Sequence, residues 1–143
     1  MRDSVGTQRA DADYEIVFDG GSLSNPGHGY GSYRLRGADL PSRIVRLEFG
    51  DGVTNNEAEY RALIEGLADL VQHLDAKQVD LSGFSVLAAG DSQLVISQVT
   101  GRWKIKSQNL VPLAQRARAL LSRFGRTELR WHPRINSVRI LGH

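Results

Sequence analysis

Hydrophobic positions first alternate along this chain and then recur at helical spacing. In Tyr14 to Phe18, Ile16 and Phe18 alternate with Glu15 and Val17 before Asp19-Gly20-Gly21. That pattern predicts a buried strand that runs into a carboxylate and a sharp turn. Tyr33 and Leu35 alternate with Ser32 and Arg34, which predicts a second strand over Tyr30–Arg36, and Arg43–Phe49 reads as a third. Gly37 to Ser42 and Gly50 to Gly52 are the intervening and closing turns, and loops this short imply an antiparallel meander. Tyr60, Leu63, Ile64, Leu67, Leu70, Val71 and Leu74 then recur at steps of three and four, a strong amphipathic helix capped by Thr54 or Asn55.

Phe84 to Asp91 predicts a fourth strand, again ending in an aspartate, and Ser92 caps a short helix through Val99. Gly101 breaks it. Ile105 to Arg123 reads as a further helix with Pro112 near its start, and Thr127–Trp131 as a fifth strand. The residues beyond carry no convincing helical pattern, so the C-terminal helix is expected to be missing. The fold class is therefore α/β: a five-stranded mixed sheet flanked by helices. The strand after the long helix is expected to run parallel to the first, which puts Asp19 and Asp91 at the same end of neighbouring strands. A third acid, from the start of the long helix, can reach that end.

Composition narrows this only a little. A chain of 143 residues, 41% hydrophobic, suits a single domain over residues 13–143, preceded by a polar segment at 1–12 that is expected to be disordered. No apolar run approaches membrane-spanning length and cysteine is absent, so a cytoplasmic monomer with no membrane contact is expected. Charge changes the picture more. Residues 1–100 hold eight Lys/Arg against fifteen Asp/Glu, whereas residues 101–143 hold ten Lys/Arg and one acid, Glu128. An acidic half beside a basic half suggests a metal site next to a polyanion-binding surface, although charge runs also arise as ordinary solvated faces.

Three carboxylates converging on one sheet edge need a cation to stay charged together. Oxygen-only ligation suits Mg²⁺ or Mn²⁺, and two such ions about 4 Å apart can drive phosphodiester hydrolysis. Taken singly, each acid also reads as a turn cap or a surface charge.

Phe18-Asp19-Gly20-Gly21-Ser22 with Asn25-Pro26-Gly27, Thr54-Asn55-Asn56-Glu57-Ala58-Glu59-Tyr60, and Asp91-Ser92-Gln93-Leu94-Val95 with Gly101-Arg102-Trp103-Lys104-Ile105-Lys106 occur in this order. Together they resemble the motifs of type 1 ribonucleases H. The resemblance implies a ribonuclease H fold, cleavage of the RNA strand of RNA–DNA hybrids, and Asp19, Glu59 and Asp91 as catalytic metal ligands. The family's spacing from the second asparagine selects Glu59 and leaves Glu57 as a first-turn surface residue. It also implies substrate contacts from Gly20, Ser22, Asn25, Asn55, Asn56, Gln93 and Arg134. Amides suit the 2′-hydroxyls that mark RNA, while Asn55 reads equally as a helix cap. Trp103, with Lys104 and Lys106, either holds the DNA strand or packs in the core.

The end of the chain departs from the family, which carries an asparagine followed four residues later by a fourth aspartate. Here Trp131-His132-Pro133-Arg134-Ile135-Asn136 starts that motif, but four residues after Asn136 stands Ile140. Asn136 itself, the terminal carboxylate of His143, or nothing then completes the site. Three readings remain: an active hybrid-cutting endonuclease, a hybrid-binding module with an incomplete metal site, and another nuclease of the same fold, such as a junction resolvase or a polyprotein-derived domain.

Overall fold

The computed structural model describes residues 12–142. Strands β1 (Tyr14–Ser22), β2 (Gly27–Gly37) and β3 (Leu40–Val53) form the meander. Helix α1 (Asn55–Ala76) leads to β4 (Ser85–Gly90), and α2 (Gln93–Val99) and α3 (Val111–Leu121) lead to β5 (Arg126–Trp131). A last helix, α4 (Arg134–Leu141), follows. The sheet order is β3-β2-β1-β4-β5, with β4 parallel to both β1 and β5. The expected topology holds, and Asp19 and Asp91 do lie at the same end of adjacent strands.

Helix α1 begins where its sequence can satisfy its own free N–H groups. Thr54 Oγ1 accepts from the Glu57 N–H, and the Glu57 carboxylate accepts from the Thr54 N–H, a reciprocal capping box. The apolar stripe Tyr60, Leu63, Leu67, Leu70 and Leu74 is buried against Ile16, Phe18, Tyr33 and Leu35 of the sheet. This contact is the main core, and it anchors the first turns of α1 over the end of β1.

Three expectations are corrected. The strands of the meander run longer: the first turn shrinks to Ala38-Asp39, and Gly50 to Gly52 stays within β3 with an irregular register. The helix expected from Ile105 starts only at Val111, after a 3₁₀ turn at Gln108–Leu110. Pro112 sits in its first turn, where a missing N–H costs nothing, while residues 104–107 form no regular element.

The missing C-terminal helix is present. α4 is short, and its N-cap, Pro133, makes no side-chain cap bond, so little local signal announces it. Tertiary contacts hold it instead. Leu141 packs on Val17 and Ala89, Arg46 donates to the Leu141 carbonyl at 3.0 Å, and Gly142 ends the helix at φ 82°, a conformation glycine adopts without strain. The disorder expected over 1–12 and the His143 carboxylate offered as a ligand fall outside the described residues, Ala12 excepted. Among the described residues no helix is long and apolar enough to cross a membrane.

Candidate active site

Asp19 lies in β1 opposite Ser32, Glu59 in the second turn of α1, and Asp91 directly after β4. Each offers a carboxylate oxygen, and these oxygens all lie within 4.8 Å of one another. The approach of α1 to β1 depends on Gly20. A Cβ there would stand 2.4 Å from the Ala58 carbonyl and 2.7 Å from the Glu59 nitrogen, both backbone atoms that cannot swing aside. The bare Gly20 N–H donates to Glu59 Oε1 at 2.9 Å and orients that carboxylate toward Asp19 and Asp91. Gly20→Ala should therefore part helix from strand, costing about 1–3 kcal/mol in urea unfolding together with the site's geometry. Wild-type stability and turnover in that variant would show that the contact is not needed.

Asp19 is buried, and Glu59 and Asp91 are partly exposed. Burial, and then repulsion from Asp91, pushes the Asp19 carboxyl from its ordinary 3.8 up to about 6, while Arg134 and the Gly20 N–H pull it back. Burial, followed by the charges of Asp19 and Asp91, holds Glu59 well above the usual carboxylate range. Asp91 Oδ2 is buried and finds no hydrogen-bond partner among the described residues. Clustered acids with an unsatisfied buried oxygen fit a hard divalent cation.

Both raised acids bind protons more tightly in the folded chain than in the unfolded one. Their contribution to stability is therefore full below the unfolded value near 4 and is lost as pH rises through about 6 and beyond. A divalent ion competes with those protons. It should raise the melting temperature clearly at about pH 7.5 and little at about pH 5, in scans with and without Mg²⁺. An equal shift at both would separate ion binding from these carboxylates.

Beside the cluster runs a groove of about 840 Å³, lined by Asn25, Thr54, Asn56, Trp103, Lys104 and Lys106 among others. Trp103 is 49% exposed, so it is not a core residue. The asparagines first build the loop. Ser22 N–H donates to Asn55 Oδ1 at 2.8 Å, and Asn55 N–H donates to Asn25 Oδ1 at 3.0 Å, which clamps the β1–β2 turn to the start of α1. With their oxygens so used, both amides keep NH₂ groups as donors. Gln93 opens α2 on the exposed surface two residues after Asp91. Arg134, at the start of α4, is close enough to Asp19 to act on its charge, and Asn136 is half-buried in the same turn.

Sequence reasoning missed several contributors. Trp131 Nε1 donates to the Asp91 carbonyl at 3.1 Å and ties β5 to the site. Glu57 accepts at 2.8 Å from Asn109 Nδ2, which joins the first turn of α1 to the 3₁₀ turn before α3. The Thr54-x-x-Glu57 spacing signals a capping box, so a role for Glu57 was visible, but nothing in the sequence pairs it with Asn109.

The profile of the reverse transcriptase-like family matches residues 43–138. Ribonuclease H1 from the halophilic archaeon Halobacterium salinarum superposes with a TM-score of 0.75 at 32% identity, covering 89% of this chain and 90% of that one. The chain belongs to the type 1 ribonuclease H family. The N-terminal ribonuclease H domain of Rv2228c from Mycobacterium tuberculosis matches equally, with a TM-score of 0.75, 35% identity and 91% of each chain. A compost-derived ribonuclease H1, LC11, solved with an RNA/DNA hybrid, gives 0.76 at 27% identity over 89% of this chain and 90% of that one. The chain spans only 32% of the length of the curated mycobacterial relatives it matches at 41% identity. Within the ribonuclease H family, the three clustered carboxylates stand on the elements expected from the motifs, and the helix after β5 is present though short.

Proposed function

We propose that this chain is a divalent-metal-dependent endonuclease that hydrolyses the RNA strand of RNA–DNA hybrids. The observation that carries this reading is the Asp19–Glu59–Asp91 cluster beside a groove lined with amides, cations and an exposed indole. The ribonuclease H1 relatives, one of them solved on a hybrid, support it. Asp19, Glu59 and Asp91 would hold Mg²⁺ or Mn²⁺; Asn136, the neutral fourth donor expected from the sequence, is half-buried on α4 next to the inward Ser137. Two such ions supply an activated water and charge for the leaving oxygen.

The chain's own groups do the rest. The Gly20 N–H fixes the Glu59 carboxylate, and Trp131 fixes the backbone of Asp91. The NH₂ groups of Asn25, Asn55, Asn56 and Gln93, with the Gly20 and Ser22 turn, meet the 2′-hydroxyls and backbone of the RNA strand. Lys104 and Lys106 take phosphates of the DNA strand beside the flat face of Trp103, and Arg134 takes a phosphate near Asp19. We take residues 13–143 as one domain acting as a monomer, and the cysteine-free sequence as that of a cytoplasmic protein. Light scattering tests the monomeric state.

The deciding experiment is cleavage of end-labelled hybrid, double-stranded RNA and double-stranded DNA, with Mg²⁺, Mn²⁺ or chelator. The expected result is metal-dependent cutting of the hybrid's RNA strand alone. Equal cutting of duplex DNA, or none of the hybrid, overturns the reading. One observation favours a second reading, a hybrid-binding module: the residues that α4 turns inward are Ser137 and Leu141, and neither is an acid. Binding without cutting in either metal would select it.

Binding should also respond to salt. With residues 101–143 carrying a net charge of +9, hybrid affinity should fall steeply, with a log–log slope of about −0.9 for each phosphate contacted. Fluorescence anisotropy across a salt series measures this, and a flat profile would rule out the basic segment as the docking surface.

A further inference from the structure

The basic side of the groove is chain without regular structure. Between the end of α2 and the 3₁₀ turn at Gln108–Leu110, residues 104–107 belong to no helix or strand. Trp103, Lys104 and Lys106 stand on or beside that stretch and line the groove. Two polar ties hold its near end to α2: the Trp103 N–H donates to the Ser97 carbonyl at 3.1 Å, and Gln98 Nε2 to the Lys104 carbonyl at 3.4 Å. At the far end, Asn109 Nδ2 donates to Glu57 Oε2 at 2.8 Å, and Glu57 stands on the first turn of α1. The start of α1 also lends Thr54 and Asn56 to the lining of the groove.

Glu57 is suited to this tie because its other oxygen is already fixed. Oε1 accepts from the Thr54 N–H at 2.9 Å and from Thr54 Oγ1 at 3.1 Å. The carboxylate is therefore held in one rotamer by the helix cap, and Oε2 projects as an anchored acceptor. Asn109 is held in turn by a hydrogen bond from Ser107 Oγ to its Oδ1. Both partners are pre-organised, so little side-chain entropy is lost on pairing.

We infer that the Glu57–Asn109 pair is a strut that ties the amide-bearing start of α1 to the end of the Trp103–Lys106 segment and sets the distance between them. Glu57 and Asn109 are positioning residues for the hybrid. The inference rests on the proposed hybrid-cutting function. It assigns a role to the acid that the family's spacing leaves on the surface: Glu59 serves the metal, and Glu57 serves the fit of the duplex. Without the strut the basic segment keeps its charges but loses its register against α1, so binding suffers while the carboxylate cluster is untouched.

The test is steady-state cleavage of one defined hybrid by the full chain, with KM and kcat read separately and folding followed by circular dichroism. Asn109→Ala removes the donor without changing charge and should raise KM about fivefold, with kcat within about twofold. Asn109→Asp sets two carboxylates against each other and should raise KM further. The double variant Glu57→Gln with Asn109→Asp has the wild-type net charge and reverses donor and acceptor. It should return KM to within about twofold of wild type. That recovery separates a strut from a direct contact, because an aspartate at 109 cannot donate to a phosphate as the asparagine could. Wild-type KM in Asn109→Ala, or no recovery in the folded double variant, overturns the strut while leaving the function standing. A wild-type chain that neither binds nor cuts hybrid removes both.

Discussion

Glu59→Gln is expected to lower turnover on RNA–DNA hybrid by at least about a thousandfold, and Asp19→Asn by a similar factor, while Glu57→Gln keeps kcat within about threefold. The two glutamates are two residues apart and close in chemistry, so the contrast is a sharp one. Glu59 Oε1 accepts from the Gly20 N–H, and its carboxylate lies in the three-acid cluster. A glutamine there keeps the backbone hydrogen bond and the volume but removes one of the charges that hold a divalent ion. Glu57 instead caps α1 and meets Asn109.

The same substitution should stabilise the metal-free chain. Glu59 is held far above its ordinary pKa by burial and by its neighbours, so its ionised form is an energetic burden at neutral pH. A variant that melts higher and turns over far more slowly is the expected signature of an acid retained for chemistry. If Glu57→Gln proved the inactive one, the register of the helix motif would be misread. If Glu59→Gln lost activity only by unfolding, Glu59 would be structural.

The second large effect lies in α4. Its inward face carries Ser137 and Leu141, at 1% and 0% exposure, and Ser137 Oγ pairs with the buried His132 Nε2 at 2.8 Å. Leu141 packs on Val17 and Ala89, which are paired across β1 and β4. Those two residues stand two positions before Asp19 and Asp91, so by the period of a strand they precede the acids on one face. Asn136 and Ile140, the pair counted from the sequence, sit one step earlier, about 100° round the helix. The family's asparagine and fourth aspartate are also four residues apart, and the structure gives that inner spacing to Ser137 and Leu141.

Leu141→Asp should therefore do what Ile140→Asp does not. In metal-free protein it buries a carboxylate in an apolar contact and should cost about 3 kcal/mol. With Mg²⁺ present it should recover much of that loss and bind the ion about tenfold more tightly by calorimetry. The wild-type chain, lacking this charge, should reach half-maximal activity at lower Mn²⁺ than Mg²⁺, since Mn²⁺ tolerates neutral donors better. A greater gain from Asn136→Asp or Ile140→Asp would return the fourth position to the count from Asn136. No gain from any of the three would mean that three carboxylates suffice.

Local patterning carried the elements that bury one clear face. The alternation around Ile16 and Phe18 and the three-and-four spacing from Tyr60 to Leu74 each have one way to hide their apolar atoms, so strand and helix followed directly. Two of the motif acids were legible from their own elements, Asp19 on a buried strand and Asp91 directly after one, whereas Glu59 was selected over Glu57 by the resemblance to the family's motif. What lay beyond the sequence was every feature held from a distance. Helix α4 exists because Val17, Ala89 and Arg46 receive it, and none of these is near it in the chain. Pro112 begins a helix rather than interrupting one, because it stands in the first turn, where no N–H is needed, and its ring would clash with a preceding helical turn. Trp103 stands in that groove because its segment is tied down at both ends, and indole composition alone favours core and surface alike. The Glu57–Asn109 contact joins residues 52 positions apart by a single hydrogen bond. Such a bond leaves no periodic trace, because only the packing of α1 against its neighbours brings the two side chains within reach.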